Sequence, residues 1–422
     1  MLGGSEMTAP LDGIKVLDFS IAIAAPLGGA MLSDMGARVI KVERIQGEPQ
    51  RLGLPAGMDD VIAEKLAKDT LDTSSWVALN RGKEDLAIDT RDESGKEVII
   101  KLVKDTDVIL ESFRPGVMDR LGLGYDEVTK INPKIIYCSV TGYGETGPVA
   151  HRAGGDMWSQ AMSGMIAEGV HPGGRPMMAA LGMVDNTCGM LTAYAIMTAL
   201  YVREKTGEGQ YVALNNLSAA MYLQFSGLAG YLMDRMGRTS EKREEGGGGG
   251  TAPPFGPFKA KDGDVFTIFG SDPLWPKFCK VLEIEEMATD PRFENDNVRR
   301  KHIEEMNQVL DEAFSKKTRA EWAELFRENK MRCDPCLTYE ELCAHPQIEA
   351  NEMIYATRHP VRGEIRMLGN PIKLQRTPAN PRGPSPLLGE HTEKILTELG
   401  YTPEKIVEME NAGVIKTVRR EK

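Results

Sequence analysis

From residue 14 to residue 140 the chain alternates short apolar runs with stretches of helical periodicity, and few folds accommodate that order. Residues 14–19, I-K-V-L-D-F, predict a buried strand, residues 26–35 a short helix rich in small side chains, and residues 38–42, R-V-I-K-V, a second strand. Asp92 opens a helix whose apolar face is Val98, Ile99, Leu102 and Val103. A strand begins at 107–110 and another runs over 134–140. Strand, helix, strand in repetition predicts an α/β fold with a doubly wound, Rossmann-like, mostly parallel sheet. Ligands of such sheets bind beyond the carboxyl ends of the strands. Arg44, Phe113 and the loop T-G-Y-G-E-T-G-P, 141–148, fall there. The G-x-G-x-x-G fingerprint is absent after the first strand, where the chain reads S-I-A-I-A-A-P-L-G-G-A, so a dinucleotide is not the favoured ligand.

Asp185 opens a long run in which Met190, Leu191, Tyr194, Ile196, Met197 and Leu200 are apolar almost all the way round. This predicts a buried central helix ending near Gly207, with Asp185 as its N-cap. A carboxylate there satisfies free N–H groups and is favoured by the helix dipole, so capping and chemistry are both open from the residues alone. Asp156 likewise reads either as the cap of a helix over 157–166 or as a group facing a ligand. The loop after the second strand, with Glu43, Arg44, Gly47, Glu48 and Arg51, reads as a solvated loop.

Beyond residue 230 the composition shifts to M-D-R-M-G-R-T-S-E-K-R-E-E and then five glycines, Gly246, Gly247, Gly248, Gly249 and Gly250. Such a run serves either as a loose linker or as a mobile flap that brings backbone N–H groups close to a reacting carbonyl. An Asp262-Gly263 hairpin, a helical repeat of Ile303, Met306, Leu310 and Phe314, and a capping box of Thr318 and Glu321 then predict a small α+β domain. The expected layout is a large α/β domain over 10–230, a linker with the glycine run over 231–256, the small domain over 257–335, and a return segment over 336–422 that completes the large one. Thr402 and Pro403 open the last helix as N-cap and first residue.

Other totals exclude function classes. A net charge of −11 gives no basic field for nucleic acid or an anionic membrane, so a phosphate-bearing ligand needs locally gathered arginines. No apolar run reaches the length of a membrane span, and the first ten residues read as a loose lead without the pattern of a signal peptide. Cys333, Cys336, Cys343 and His345 invite a metal reading, but their spacing is irregular and a proline stands inside the C-x-x-C pair, so core thiols and no metal are expected. Six cysteines without paired spacing fit a reducing cytoplasm.

The chain resembles the family III CoA-transferases over nearly its whole length. The resemblance rests on L-D-G-I-K-V-L-D-F near the start, G-A-R-V-I-K-V-E-R, the G-Y-G-x-T-G-P loop, the stretch around Asp185, K-T-G-E-G-Q at 205–210, the glycine run and L-L-G-E-H-T near the end. It implies that Asp185 is the catalytic nucleophile, that Gly246 to Gly250 form an active-site flap, and that the fold assembles as two interlocked ring-shaped chains in a homodimer. It also implies CoA contacts at Arg44, Ile88, Arg91, Ser112, Phe113, Arg120 and Arg152, with Ile23, Tyr143 and Asp156 lining an acyl pocket. The substrates implied are acyl-CoA thioesters and free carboxylic acids, with no permanently bound cofactor. Formyl-CoA transferase has a glutamine where this chain has Ile23, which points from oxalate or formate towards a larger, partly apolar acid. The α-methylacyl-CoA racemases share the fold but use a His directly before an acid; here Gly155 precedes Asp156, and His151 lies five residues upstream. A CoA-binding protein without turnover is the third reading.

Overall fold

The computed structural model describes residues 9–53, 72–168, 176–235, 254–268, 272–379 and 383–418. The chain divides into two compact units, Met1–Phe225 with Asn351–Lys422, and Ser226–Ala350.

The first unit is built on a sheet whose six parallel strands are β1 (Lys15–Asp18), β2 (Arg38–Glu43), β3 (Glu84–Ile88), β4 (Val108–Glu111), β5 (Ile136–Thr141) and β6 (Gln210–Asn215). Their order is 3-2-1-4-5-6, the doubly wound order, with a reversal point between β1 and β4. A seventh strand, Ile415–Lys416, closes the β3 edge antiparallel, Ile415 opposite Ile88. Period-two alternation splits the sheet between two cores. Leu17, Ile40, Leu86 and Ile109 face one way with Val98, Ile99, Leu102 and Val103 of the helix Glu93–Val103. Val16, Val39, Val108 and Leu110 face the other way, towards the helices Ala24–Asp34 and Met183–Thr206.

Those two helices approach closely because glycines face each other's partner. A Cβ on Gly28 would lie 2.7 Å from Thr192 Cγ2, and one on Gly189 would lie 2.6 Å from the Ala24 carbonyl oxygen. The expectation that the long helix is buried all round is corrected. Its buried side consists mainly of small residues, Cys188, Gly189, Thr192, Ala193 and Ala199, with only Val184 and Ile196 larger among its apolar members, while Met190, Tyr194 and Tyr201 stand 50%, 70% and 65% exposed in the single chain. Where the two helices meet most closely, at Gly189 and Thr192, there is no room for a large side chain.

The loop after β2 is also not a solvated one: Glu43, Glu48 and Arg51 are buried. Arg51 bonds Glu43 and Asp72, each at 2.7 Å, and stacks over Trp76. Burial works to raise the Glu43 carboxyl, but Arg51, a hydrogen bond from Asp85 and the Lys41 charge together outweigh it and bring the group down to about 2. Beneath β1, Lys83 Nζ bonds Asp18 at 2.7 Å, the Pro26 carbonyl and Asn80, with neither charge exposed.

In the second unit, Phe255–Ala260 and Gly263–Ile268 form the expected hairpin, joined by a third strand, Cys333–Pro335. Phe258 stacks on Phe314, and Trp322 meets Phe314 edge-on, in a core under the helices Ile303–Phe314 and Arg319–Glu328. The capping box of Thr318 and Glu321 is present. The helix Tyr339–Cys343, held by a 2.5 Å Arg319–Glu341 pair, belongs to this unit, so the return to the first falls at Asn351 rather than at 336. Of the three cysteines expected in the core, only Cys333 is buried; Cys336, bonded through its N–H to the Asp264 carbonyl, and Cys343, at the end of the helix Tyr339–Cys343, are exposed. Among the described residues no helix is long and apolar enough to cross a membrane, and no three His, Cys, Asp or Glu side chains gather as a metal site.

Candidate active site

Asp185 is the third residue of the helix Met183–Thr206, whose N-cap is Gly182 in the left-handed region, φ 80°. The N-cap role expected of Asp185 is therefore corrected. Its carboxyl is freed from capping because another residue does that work. Asp156 Oδ1 accepts the N–H of Val184 at 2.7 Å and of Asp185 at 3.3 Å. Asp156 opens its own helix, Asp156–Met162, which ends sooner than 166 at Ser163, ahead of Gly164 with φ 86°.

Gln160, one turn on, completes the clamp. It donates to Asp156 Oδ2 at 2.7 Å and to the Ala180 carbonyl, and accepts the Ala179 N–H at 3.0 Å. The loop before Asp156 is fixed by a contact with no side chain between: a Cβ on Gly142 would stand 2.5 Å from the Gly154 Cα. At the end of β6, Asn216 donates from Nδ2 to Asp185 Oδ1 at 2.6 Å. Asp156, Asp185 and Asn216 are all buried. Burial first, and then the Asp156 charge, push the Asp185 carboxyl up to about 6, against the opposing pull of the Asn216 bond. An ionised carboxylate here is thus short of solvent and relies on the Asn216 bond for part of its stabilisation.

The other sequence-predicted residues lie along the carboxyl ends of the parallel strands. Arg44 follows β2 and bonds the Gly47 carbonyl. Arg91 follows β3, exposed, on Asp89. Ser112 and Phe113 follow β4. Ser112 Oγ accepts the Ile21 N–H at 2.8 Å, and Glu48 accepts that of Ala22 at 2.7 Å. These bonds hold Ala22 at φ 66° and set Ile23 ahead of the helix Ala24–Asp34 at the reversal point of the sheet. Tyr143 is half-buried after β5, while Arg120 and Arg152 are exposed. Ile88 is the exception: it is 1% exposed and packed in the core opposite Ile415, so its side chain offers no surface to a ligand. Gly246 to Gly250 lie outside the described residues.

Asn216 and Gln160 were not singled out in the sequence. Two adjacent amides where β6 ends, V-A-L-N-N-L, were the available signal for the first. Glu111 was missed as well: at the ends of β4 and β5 it lines a cavity of about 160 Å³ with Tyr125, Tyr137, Ser139, Glu145 and Tyr211. Burial pushes its carboxyl up to about 7.

The fold is a doubly wound α/β sheet, and a buried aspartate with a raised carboxyl stands in the first turn of its longest described helix. Comparison with known proteins narrows the class: the sequence profile of CoA-transferase family III matches residues 11–392, and the chain belongs to that family. It is 31% identical over 407 residues to a human succinyl-CoA:glutarate CoA-transferase, covering 96% of this chain and 90% of that protein. It is 30% identical over 434 residues to a formyl-CoA:oxalate CoA-transferase of Rhodopseudomonas palustris, covering 98% and 99%. Among solved structures, a CAIB/BAIF family protein from Brucella suis superposes with a TM-score of 0.79 at 30% identity, over 93% of this chain and all of that one.

Proposed function

We propose that this protein moves CoA from an acyl-CoA donor to a free carboxylate through covalent intermediates on Asp185. The observation that carries the reading is the buried Asp185 carboxyl, raised to about 6 and relieved of capping by Asp156. Asp185 attacks the donor thioester carbon, the C–S bond breaks, and a mixed anhydride and CoA thiolate result. The thiolate attacks Cγ of Asp185, releasing the donor acid and leaving an aspartyl-CoA thioester. The acceptor carboxylate then displaces CoA to form a second anhydride, and the thiolate takes its acyl group and restores Asp185. Every step is polar acyl exchange, so the proposal calls on no resident metal or redox group.

Arg44, Arg91, Arg120 and Arg152 are the proposed partners of the nucleotide and its phosphates, since guanidinium forks suit phosphate oxygens. Ser112 and Phe113 border the adenine. Ile23, Tyr143 and Asp156 are proposed around the acyl group, with an acid larger than formate or oxalate favoured by the apolar Ile23. Gly246 to Gly250 are proposed as the flap that shields the anhydride from water.

The active form is proposed to be an interlocked homodimer. Trp158, Met190, Tyr194, Tyr201, Tyr222 and Phe225 all stand at least half exposed in the first unit, apolar surface that a second copy would cover. The six cysteines are free thiols, as suits a cytoplasmic enzyme.

The test is peptide mass spectrometry after brief incubation with a panel of acyl-CoAs, trapped with hydroxylamine or borohydride. Label at Asp185, absent from Asp185→Ala, is expected, and the labelling thioesters name the donor class. Solvent deuterium entering the α-carbon of a bound acyl-CoA with Asp185 unlabelled would instead mark the racemase reaction. CoA binding with neither event would mark a non-catalytic binder.

A further inference from the structure

Asn216 stands where β6 passes into the helix Asn216–Leu223, and its backbone is tightly held. Asn215 caps that helix by accepting the Ser218 N–H at 2.7 Å, and the Leu217 N–H bonds the Gly142 carbonyl at 3.1 Å. The side chain is buried, and its Nδ2 meets one oxygen of Asp185, Oδ1, at 2.6 Å. Nothing in a merely structural role requires a donor on that particular oxygen.

We infer that Asn216 is a catalytic residue whose Nδ2–H stabilises the oxyanion that forms on Oδ1 of Asp185. The inference rests on Asp185 being the nucleophile. With Oδ1 engaged by Asn216, Oδ2 is the attacking atom and becomes the bridging oxygen of the anhydride, while Oδ1 becomes the aspartyl carbonyl oxygen. When the CoA thiolate adds to Cγ, the new C–S bond drives the carbonyl electron pair onto Oδ1. Collapse restores the carbonyl and breaks the Cγ–Oδ2 bond, and Oδ2 leaves with the donor carboxylate. Attack by the acceptor carboxylate on the thioester passes through the same geometry, with charge again on Oδ1 and CoA thiolate as the leaving group. The amide is already at hydrogen-bond distance from the atom on which charge develops, so no reorganisation is needed as it forms.

This assigns Asn216 to the two steps that occur at Cγ of Asp185. The two steps at the substrates' own carbonyl carbons place the developing charge elsewhere.

The experiment compares the wild type, Asn216→Ala, the isosteric Asn216→Asp and the cap variant Asn215→Ala. Each is mixed with a donor that labels wild-type Asp185, and the aspartyl-CoA thioester is trapped with borohydride as a function of time. Thioester formation is expected to slow by about 10²–10³-fold in Asn216→Ala, and at least as much in Asn216→Asp, with acyl-CoA affinity near that of the wild type. Asn215→Ala is expected to melt at a lower temperature and form the thioester at close to the wild-type rate. Wild-type rates in Asn216→Ala, or loss of affinity in step with rate, overturn the inference. Absence of any thioester on wild-type Asp185 defeats the nucleophile reading itself, and this one with it.

Discussion

Asp156 caps the helix that carries Asp185 from outside that helix, its Oδ1 accepting the Val184 and Asp185 N–H groups at 2.7 and 3.3 Å. One carboxylate thereby takes up the helix N-terminus and sets a second negative charge near the other. The result is an aspartate in the first turn of its helix whose favourable dipole is opposed by a neighbouring carboxylate.

Removing that charge while keeping its shape is predicted to make Asp185 easier to ionise. In Asp156→Asn the amide oxygen still accepts the two N–H groups, the bond from Gln160 Nε2 to Oδ2 is lost, and the charge that helps raise Asp185 is gone. A pH–rate profile is expected to show its acid limb, near pH 6 in the parent, moved to lower pH. An unmoved limb would show that burial alone sets the value.

Asp185 is predicted to cost the fold stability whenever it is ionised. A carboxyl raised from an ordinary 3.8 to about 6 is protonated more readily folded than unfolded, so its cost is fully present above about pH 6 and vanishes below 3.8. The displacement corresponds to about 3 kcal/mol. Asp185→Asn is expected to melt above the parent at pH 8, with the gap closing towards pH 4; an equal gap at both values would contradict the burial account.

Glycine-to-alanine changes between the two packed helices are predicted to differ in whether they can be rescued. Gly189→Ala drives a methyl against the Ala24 carbonyl, which cannot move without its helix, at a cost of about 1–3 kcal/mol. Gly28→Ala meets mainly the Thr192 methyl, so the double variant with Thr192→Ser, which retains a hydroxyl for the Cys188 carbonyl, is expected to recover part of the loss. Denaturant midpoints measure both.

The buried pair beneath β1 is predicted to be costly to halve. Lys83→Met leaves the Asp18 carboxylate buried with its nearest cation removed, for a loss of about 3–5 kcal/mol. Adding Asp18→Asn is expected to return part of it, and unfolding of the two variants side by side gives the coupling.

Association is predicted to depend on the outward face of the long helix. The wild type is expected to sediment as a dimer, and Tyr194→Glu with Tyr201→Glu, both exposed in the single chain, as a monomer. A monomeric wild type at micromolar concentration would remove the dimer from the proposal.

What the sequence disclosed followed the range of the interactions involved. Asp92, Thr318 and Thr402 were recognisable at helix starts because each bonds N–H groups two or three residues away, and the structure shows each of them capping. Asp185 was misplaced by three residues because its helix takes its cap from Asp156, 29 residues earlier. The loop with Glu43, Glu48 and Arg51 looked solvated because its charges find each other only after β1, β2 and β3 align. Met190 and Tyr194 belong to an apolar run that suggests burial, yet the single chain leaves them half exposed or more, because an apolar pattern does not say which side of a helix meets the sheet. Ile415 and Lys416 make a strand too short for any periodicity to announce.

That last strand carries a consequence for how the molecule is made. Ile88 waits for Ile415, roughly 330 residues further along, and the Asp89 N–H waits for the Val414 carbonyl. At about 5–20 residues per second, a ribosome needs on the order of half a minute to deliver them. Until then the margin of β3 is an open row of backbone donors and acceptors, the kind of surface that recruits another nascent chain.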